Sequence, residues 1–143
     1  MATPDTLLEL LTAPGPSGYE TAPTAAWRER ATAFAEVSGD TLGSSLAAVP
    51  GTAGGPRLAV VGHIDEIGLI VTHVSDEGFL HFIGVGGWDA QILVGQRVEL
   101  ATRDGRVLGV IGKKPIHLLK EDDRKKVAEI KDLHIDIGAK DGD

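Results

Sequence analysis

At 143 residues, with 42% hydrophobic and 24% charged side chains, the chain has the makings of one globular domain, or of one domain plus part of another. The 21 acidic against 14 basic residues give a net charge of -7, which opposes the counterion release that drives nucleic-acid binding. No cysteine is present, so disulfide frameworks, thiolate metal sites and cysteine nucleophiles are excluded, and any metal must be held by His, Asp or Glu.

Thr3-Pro4-Asp5 reads as a helix start, with Leu7, Leu8, Leu10 and Leu11 following at helical spacing until Pro14-Gly15-Pro16 stops it. Asp5 and Glu9 interrupt this apolar stretch and no basic flank precedes it, so a signal peptide is not expected. No run approaches membrane-spanning length, and the cytoplasm is the expected compartment. A second helix is predicted from about Ala22 to Ala35, with Ala26, Trp27, Arg30, Ala31 and Phe34 on one stripe. From Glu36 to Pro50, short apolar pieces alternate with Gly39-Asp40 and Gly43-Ser44, the pattern of a strand pair joined by a turn. After the loop Thr52-Ala53-Gly54-Gly55-Pro56, the run Leu58-Ala59-Val60-Val61 predicts a strand buried on both faces of a mixed or parallel sheet.

Past Ile67 the texture becomes β-rich. Strands are predicted at Leu69–Val74, Phe79–Ile83, Arg97–Ala101 and Arg106–Ile111, with hairpin turns at Asp76-Glu77-Gly78 and Asp104-Gly105. This half reads as a small β-barrel, interrupted by a charged helix from Glu121 to Lys131 with Val127 and Ile130 inward, and closed by Leu133, Ile135 and Ile137 alternating along a last strand.

The segment that promises chemistry is Gly62-His63-Ile64-Asp65-Glu66-Ile67-Gly68, where the buried strand should leave its sheet, the end at which α/β proteins place ligands. In extended backbone, residues two apart point the same way, so the His63 imidazole can bind a metal while the Asp65 carboxylate fixes its tautomer. The same spacing recurs in His134-Ile135-Asp136, and at least one of the two must be without function. Gly86-Gly87-Trp88 reads as a turn closed by an aromatic core anchor, His117 as a loop side chain, and His73 and His81 as outward residues of the barrel. Lys113-Lys114 and Arg124-Lys125-Lys126 lie near Glu121, Asp122 and Asp123, which suits a solvated face better than an anion site.

The run from Val61 to Val71, then Gly78-Phe79-Leu80, Gly86-Gly87-Trp88-Asp89 and Gly95-Gln96-Arg97-Val98, resembles the tetrahedral (TET) and glutamyl aminopeptidases stretch by stretch and in order. The likeness continues through Asp104-Gly105, Gly109 to Leu118 and Asp132 to Ala139, and upstream in Pro16-Ser17-Gly18-Tyr19-Glu20 and Asp40-Thr41-Leu42-Gly43. Ser44 stands where the family commonly has asparagine. The resemblance implies an α/β fold: a partial metallopeptidase domain over residues 1–67, an inserted PDZ-like β-barrel over 68–135 that pairs subunits, and a return to the first domain over 136–143. It makes His63 a ligand of one of two divalent metal ions, zinc or cobalt, and Asp65 its catalytic orienting partner. Glu66 is not the general base. The remaining ligands are expected beyond this sequence.

The implied activity is removal of N-terminal residues from short peptides by a homo-oligomer in which dimers build a dodecamer, with no nucleic acid and no membrane involved. One imidazole and one orienting acid do not complete a hydrolytic site, so the chain alone is expected to be inactive. Two rivals belong to other classes: a non-catalytic assembly module pairing through the barrel, and a peptide-binding barrel edge, which lacks a recognisable carboxylate-binding loop.

Overall fold

The computed structural model describes residues 4–142 and is mixed α/β. The chain divides into two compact units, one ending at Glu66 and the other starting at Ile67.

The first unit opens with α1 (Asp5–Thr12), whose start at Pro4 follows the expected pattern, while Thr3 lies outside the described residues. Proline at the helix entrance gives up only an N–H that would be orphaned anyway. The helix α2 (Thr21–Thr32) buries Pro23, Thr24, Ala26 and Ala31, a stripe of small residues that allows close approach. Two members of the expected stripe do not belong to it. Arg30 points outward to an ion pair with Glu9 of α1 at 2.7 Å, and Phe34 lies past the helix end and is exposed.

Strands β1 (Glu36–Gly39) and β2 (Ser45–Ala48) form the expected antiparallel pair, with Glu36 opposite Ala48 and Gly39 opposite Ser45. Arg28 of α2 ties the pair to the helix, its Nε donating to Ser45 Oγ at 2.7 Å and Nη2 to the Ser44 carbonyl at 3.0 Å.

Leu58–Val61 overturns an expectation. No strand forms there, and Leu58, Val60 and Val61 are each at least 90% exposed. A strand buried on both faces needs ladder partners and covering layers, and among the described residues nothing pairs with this run. Its apolar character was legible, but the elements that would bury it are absent from the described residues.

The second unit is a five-stranded antiparallel sheet in the order β3 (Gly68–Val74), β4 (Leu80–Val85), β7 (Leu133–Asp136), β6 (Gly105–Lys113), β5 (Arg97–Thr102). Both expected hairpins are present. Gly78 turns the first with φ +83°, and Gly105 follows the two-residue loop that joins β5 to β6. The core consists of Leu80, Phe82, Leu93, Ile111, Leu133 and Ile135, each less than a tenth exposed, and burial of each such side chain contributes roughly 1.5–3 kcal/mol.

Three details depart from the sequence reading. A short helix, α3 (Ala90–Leu93), starts at Asp89, whose carboxylate accepts from the Gln91 N–H at 2.9 Å and so delivers Leu93 to the core. The long charged helix is reduced to α4 (Glu121–Arg124). A separate 3₁₀ turn, Ile130–Asp132, follows, and the Asp132 carboxylate accepts from the Glu129 N–H at 3.2 Å to start it. Because the helix ends early, Val127 is exposed, whereas Ile130 still packs against the core. Finally, β3 and β5 stand at the two ends of the strand order with no ladder joining them among the described residues.

Trp88 behaves as the expected anchor, packing on the core while its indole N–H donates to the Gly68 carbonyl at 2.8 Å.

Candidate metal-binding site

A parallel bridge between Pro16 and Glu66 brings the turn after α1 beside the His63–Glu66 segment. The Glu66 N–H donates to the Gly15 carbonyl at 2.9 Å, and the Ser17 N–H to the Glu66 carbonyl at 3.1 Å. Glu66 also accepts from the Gly15 N–H through its own carboxylate at 3.0 Å. That contact ties the Glu66 carboxylate to the turn after α1.

On this frame, Ser17 Oγ donates to Asp65 Oδ2 at 2.5 Å, and Asp65 Oδ1 lies 3.0 Å from His63 Nδ1. The Asp65 backbone carbonyl is 2.9 Å from the same ring nitrogen. Both neighbours of Nδ1 are oxygens that only accept, so this geometry selects the tautomer with the proton on Nδ1 and the lone pair on Nε2. The His63 side chain is 85% exposed and Asp65 is 37% exposed, so the ring lies outside any apolar core and faces solvent. The Ser17 hydroxyl, and after it the His63 ring, hold the Asp65 carboxyl below its ordinary value, which keeps it an anion and an acceptor.

His134-Ile135-Asp136 has the same spacing and a different fate. His134 packs its ring on Phe79 with centroids 4.5 Å apart, and Asp136 turns to accept from the Gly138 N–H at 2.8 Å. The regular ladder of β7 holds those two side chains apart in function, whereas the non-ladder backbone at 63–65 lets Asp65 fold back on the ring. His117 is exposed in the 3₁₀ turn Ile116–Leu118. Ser17 is the participant that motif reading did not place in the site. It was visible only as part of Pro16-Ser17-Gly18-Tyr19-Glu20, because its partner lies 48 residues away.

Among the described residues, no three His, Asp or Glu side chains come together to hold a metal ion. The donors that are present nevertheless suit one ligand: a neutral imidazole with its distal nitrogen free and its proximal nitrogen fixed by a carboxylate, the usual setting of a metal-binding histidine. No helix among the described residues is long and apolar enough to cross a membrane.

The first unit of this mixed α/β chain thus ends on a histidine hydrogen-bonded to a carboxylate, an arrangement found in peptidases among other enzymes. The comparisons with known proteins give the particular family. The model of the M42 glutamyl aminopeptidases matches residues 43–143, and the chain belongs to that family. It is 41% identical over 105 residues to FrvX of Escherichia coli K12, which carries a provisional aminopeptidase designation; the match takes in 73% of this chain and 29% of that protein. The TET aminopeptidase of a marine-sediment Thaumarchaeota archaeon superposes with a TM-score of 0.91 at 43% identity, over 96% of this chain and 38% of that one. The Pyrococcus horikoshii TET1 peptidase, which can assemble into a tetrahedron or a large octahedral shell, superposes with a TM-score of 0.83 at 38% identity, over 96% of this chain and 41% of that one. The chain thus spans between about three tenths and two fifths of the length of these relatives.

Proposed function

We propose that this chain is part of a metal-dependent aminopeptidase that removes N-terminal residues from short peptides, with His63 a ligand to one of two divalent metal ions and Asp65 the carboxylate that orients it. The observation that carries this reading is the hydrogen-bonded series Ser17–Asp65–His63, which leaves a single lone pair, on Nε2, directed to solvent. Zinc or cobalt, when bound, supplies Lewis-acid polarisation of a carbonyl and lowers the pKa of water from about 15.7 to about 7. The chain's own residues do the positioning. Ser17 holds one Asp65 oxygen, Asp65 holds the proton on His63 Nδ1, and the ring is thereby locked in the tautomer and orientation that a metal ligand requires.

The antiparallel sheet of residues 68–135 is, in this reading, a PDZ-like barrel inserted into the peptidase domain, with residues 136–143 returning to that domain. The barrel pairs subunits, and the dimers build a dodecameric shell; the family membership and the likeness to the shell-forming TET1 peptidase support this. We place the enzyme in the cytoplasm, since a cysteine-free chain has no need of an oxidising compartment.

Hydrolytic zinc sites use about three protein ligands, so the 143-residue chain by itself should show no turnover of leucine or glutamate p-nitroanilide with either metal. In the complete enzyme, Asp65→Asn should lower metal affinity or activity about 10–100-fold, and His63→Ala should lower it further. Full activity and full metal content in the His63→Ala enzyme would refute the assignment. Self-association of the chain together with an inactive complete protein would favour an assembly module instead.

A further inference from the structure

On the face of the sheet opposite the core, His73 of β3 and His81 of β4 sit directly across from each other, with their rings stacked at a centroid distance of 5.8 Å and an interplanar angle of 24°. Both are exposed. Their meeting depends on an irregularity in the ladder. Ile70 pairs with Ile83 and Val71 with Phe82, and an unbroken register would go on to set Thr72 opposite His81 and His73 opposite Leu80. Leu80 is only 6% exposed, so the unbroken register would turn the His73 imidazole into the core. Instead the register shifts by one residue between Val71 and His73, so that His73 falls opposite the exposed His81 and Val74, itself exposed at the strand end, falls opposite Leu80. A ladder irregularity that re-aims a side chain is a common device beside functional sites.

We propose that His73 and His81 form a two-imidazole site for a divalent transition-metal ion, separate from His63 and independent of the reading of the chain as a peptidase. With metal–nitrogen bonds of about 2.1 Å, two imidazoles sharing one tetrahedral ion have ring centroids about 5 Å apart. As stacked, with planes 24° apart, the two rings do not aim their in-plane lone pairs at one point, so each must turn about its side-chain bonds to direct one nitrogen to a shared ion. Both side chains are exposed and free to do so, and water completes the shell. Imidazole donors select nickel, copper, zinc or cobalt over calcium and magnesium. The ion would staple β3, which among the described residues has a ladder neighbour on one side only, to β4.

The test is calorimetric titration of Ni²⁺ alone into the 143-residue chain carrying His63→Ala and His117→Ala, which removes the other exposed imidazoles. One equivalent should bind, with slowed amide exchange confined to β3 and β4. Because the two imidazoles act as a chelate, His73→Asn or His81→Asn should each weaken binding by about 100-fold. Both positions are exposed, so either variant should fold, and an unchanged heteronuclear spectrum in the absence of Ni²⁺ checks this. Affinity unchanged within about twofold in both variants, or no binding up to about 1 mM Ni²⁺, would overturn the proposal. Since His63 is absent throughout, neither result bears on the peptidase assignment.

Discussion

Asp40 closes the turn between β1 and β2 with a single oxygen: Oδ1 accepts from the N–H of Leu42 and from that of Ser44, both at 2.9 Å. These bonds, led by the one from Ser44, hold the carboxyl below its ordinary value. A depressed carboxylate stabilises the fold above its unfolded-state pKa of about 3.9, and that contribution disappears as pH falls through the lower folded value. Asp40→Ala should therefore lower the urea midpoint at neutral pH, and the gap from the parent chain should narrow steadily as pH falls below about 4. Asp40→Asn, which keeps an accepting oxygen without the charge, should lose less. A gap for Asp40→Ala that stays constant with pH would show that the charge contributes nothing.

The backbone of Ser44 makes two of the turn's contacts, its N–H donating to Asp40 Oδ1 and its carbonyl accepting from the Asp40 N–H. At this scale the sequence was informative wherever partners are close along the chain, as for Asp40, or for His63 and Asp65. It was silent on Ser17, whose role depends on a bridge between segments about 50 residues apart.

Strand β7 shows the same limit at the level of elements. The alternation of Leu133, Ile135 and Ile137 announces a strand, but nothing local reveals that the last strand in the chain lies between β4 and β6 at the centre of the sheet. That placement puts Leu133 and Ile135 in the core, beside Leu80 and Phe82 of β4 and Ile111 of β6. Ile135 is 2% exposed, and its Cα neighbours are Leu80 on one side and Ile111 on the other. The neighbouring β6 is fitted to it closely, for a Cβ built on Gly109 would lie 2.6 Å from Ile135 Cγ2. Truncation by Ile135→Ala should cost about 2–5 kcal/mol in denaturant unfolding, the range for a large buried aliphatic residue whose surroundings cannot collapse. A loss below about 1 kcal/mol would mean that the sheet does not depend on its central strand. The charged segment before β7 was misread for a related reason. Helical periodicity at Val127 and Ile130 is real, but the reciprocal contacts of Glu129 and Asp132 begin a new turn, and local hydrogen bonds of this kind compete with helix continuation.

For the molecule as a whole, the family was more legible than the fold of the first unit, because short motifs in fixed order survive even where the elements around them are missing. Leu58–Val61 is the example: its residues match a buried strand, and its surroundings supply no sheet to bury it. Residues 51–61 carry no helix or strand and are exposed throughout. An extended, exposed segment of this kind is what a protease active site can accept, whereas backbone in a paired strand must first be released. Limited proteolysis of the 143-residue chain by a protease of broad specificity should therefore cut first within residues 51–61. A product containing β3 to β7 should persist, because its core residues Leu80, Phe82, Leu93, Ile111, Leu133 and Ile135 all lie C-terminal to the cut. Mass mapping of the first products decides the matter. Initial cleavage within β6 or β7, with residues 51–61 intact, would show that the exposed apolar run is covered in solution. The obvious cover would be a second copy of the chain pairing along this run, which has no ladder partner among the described residues.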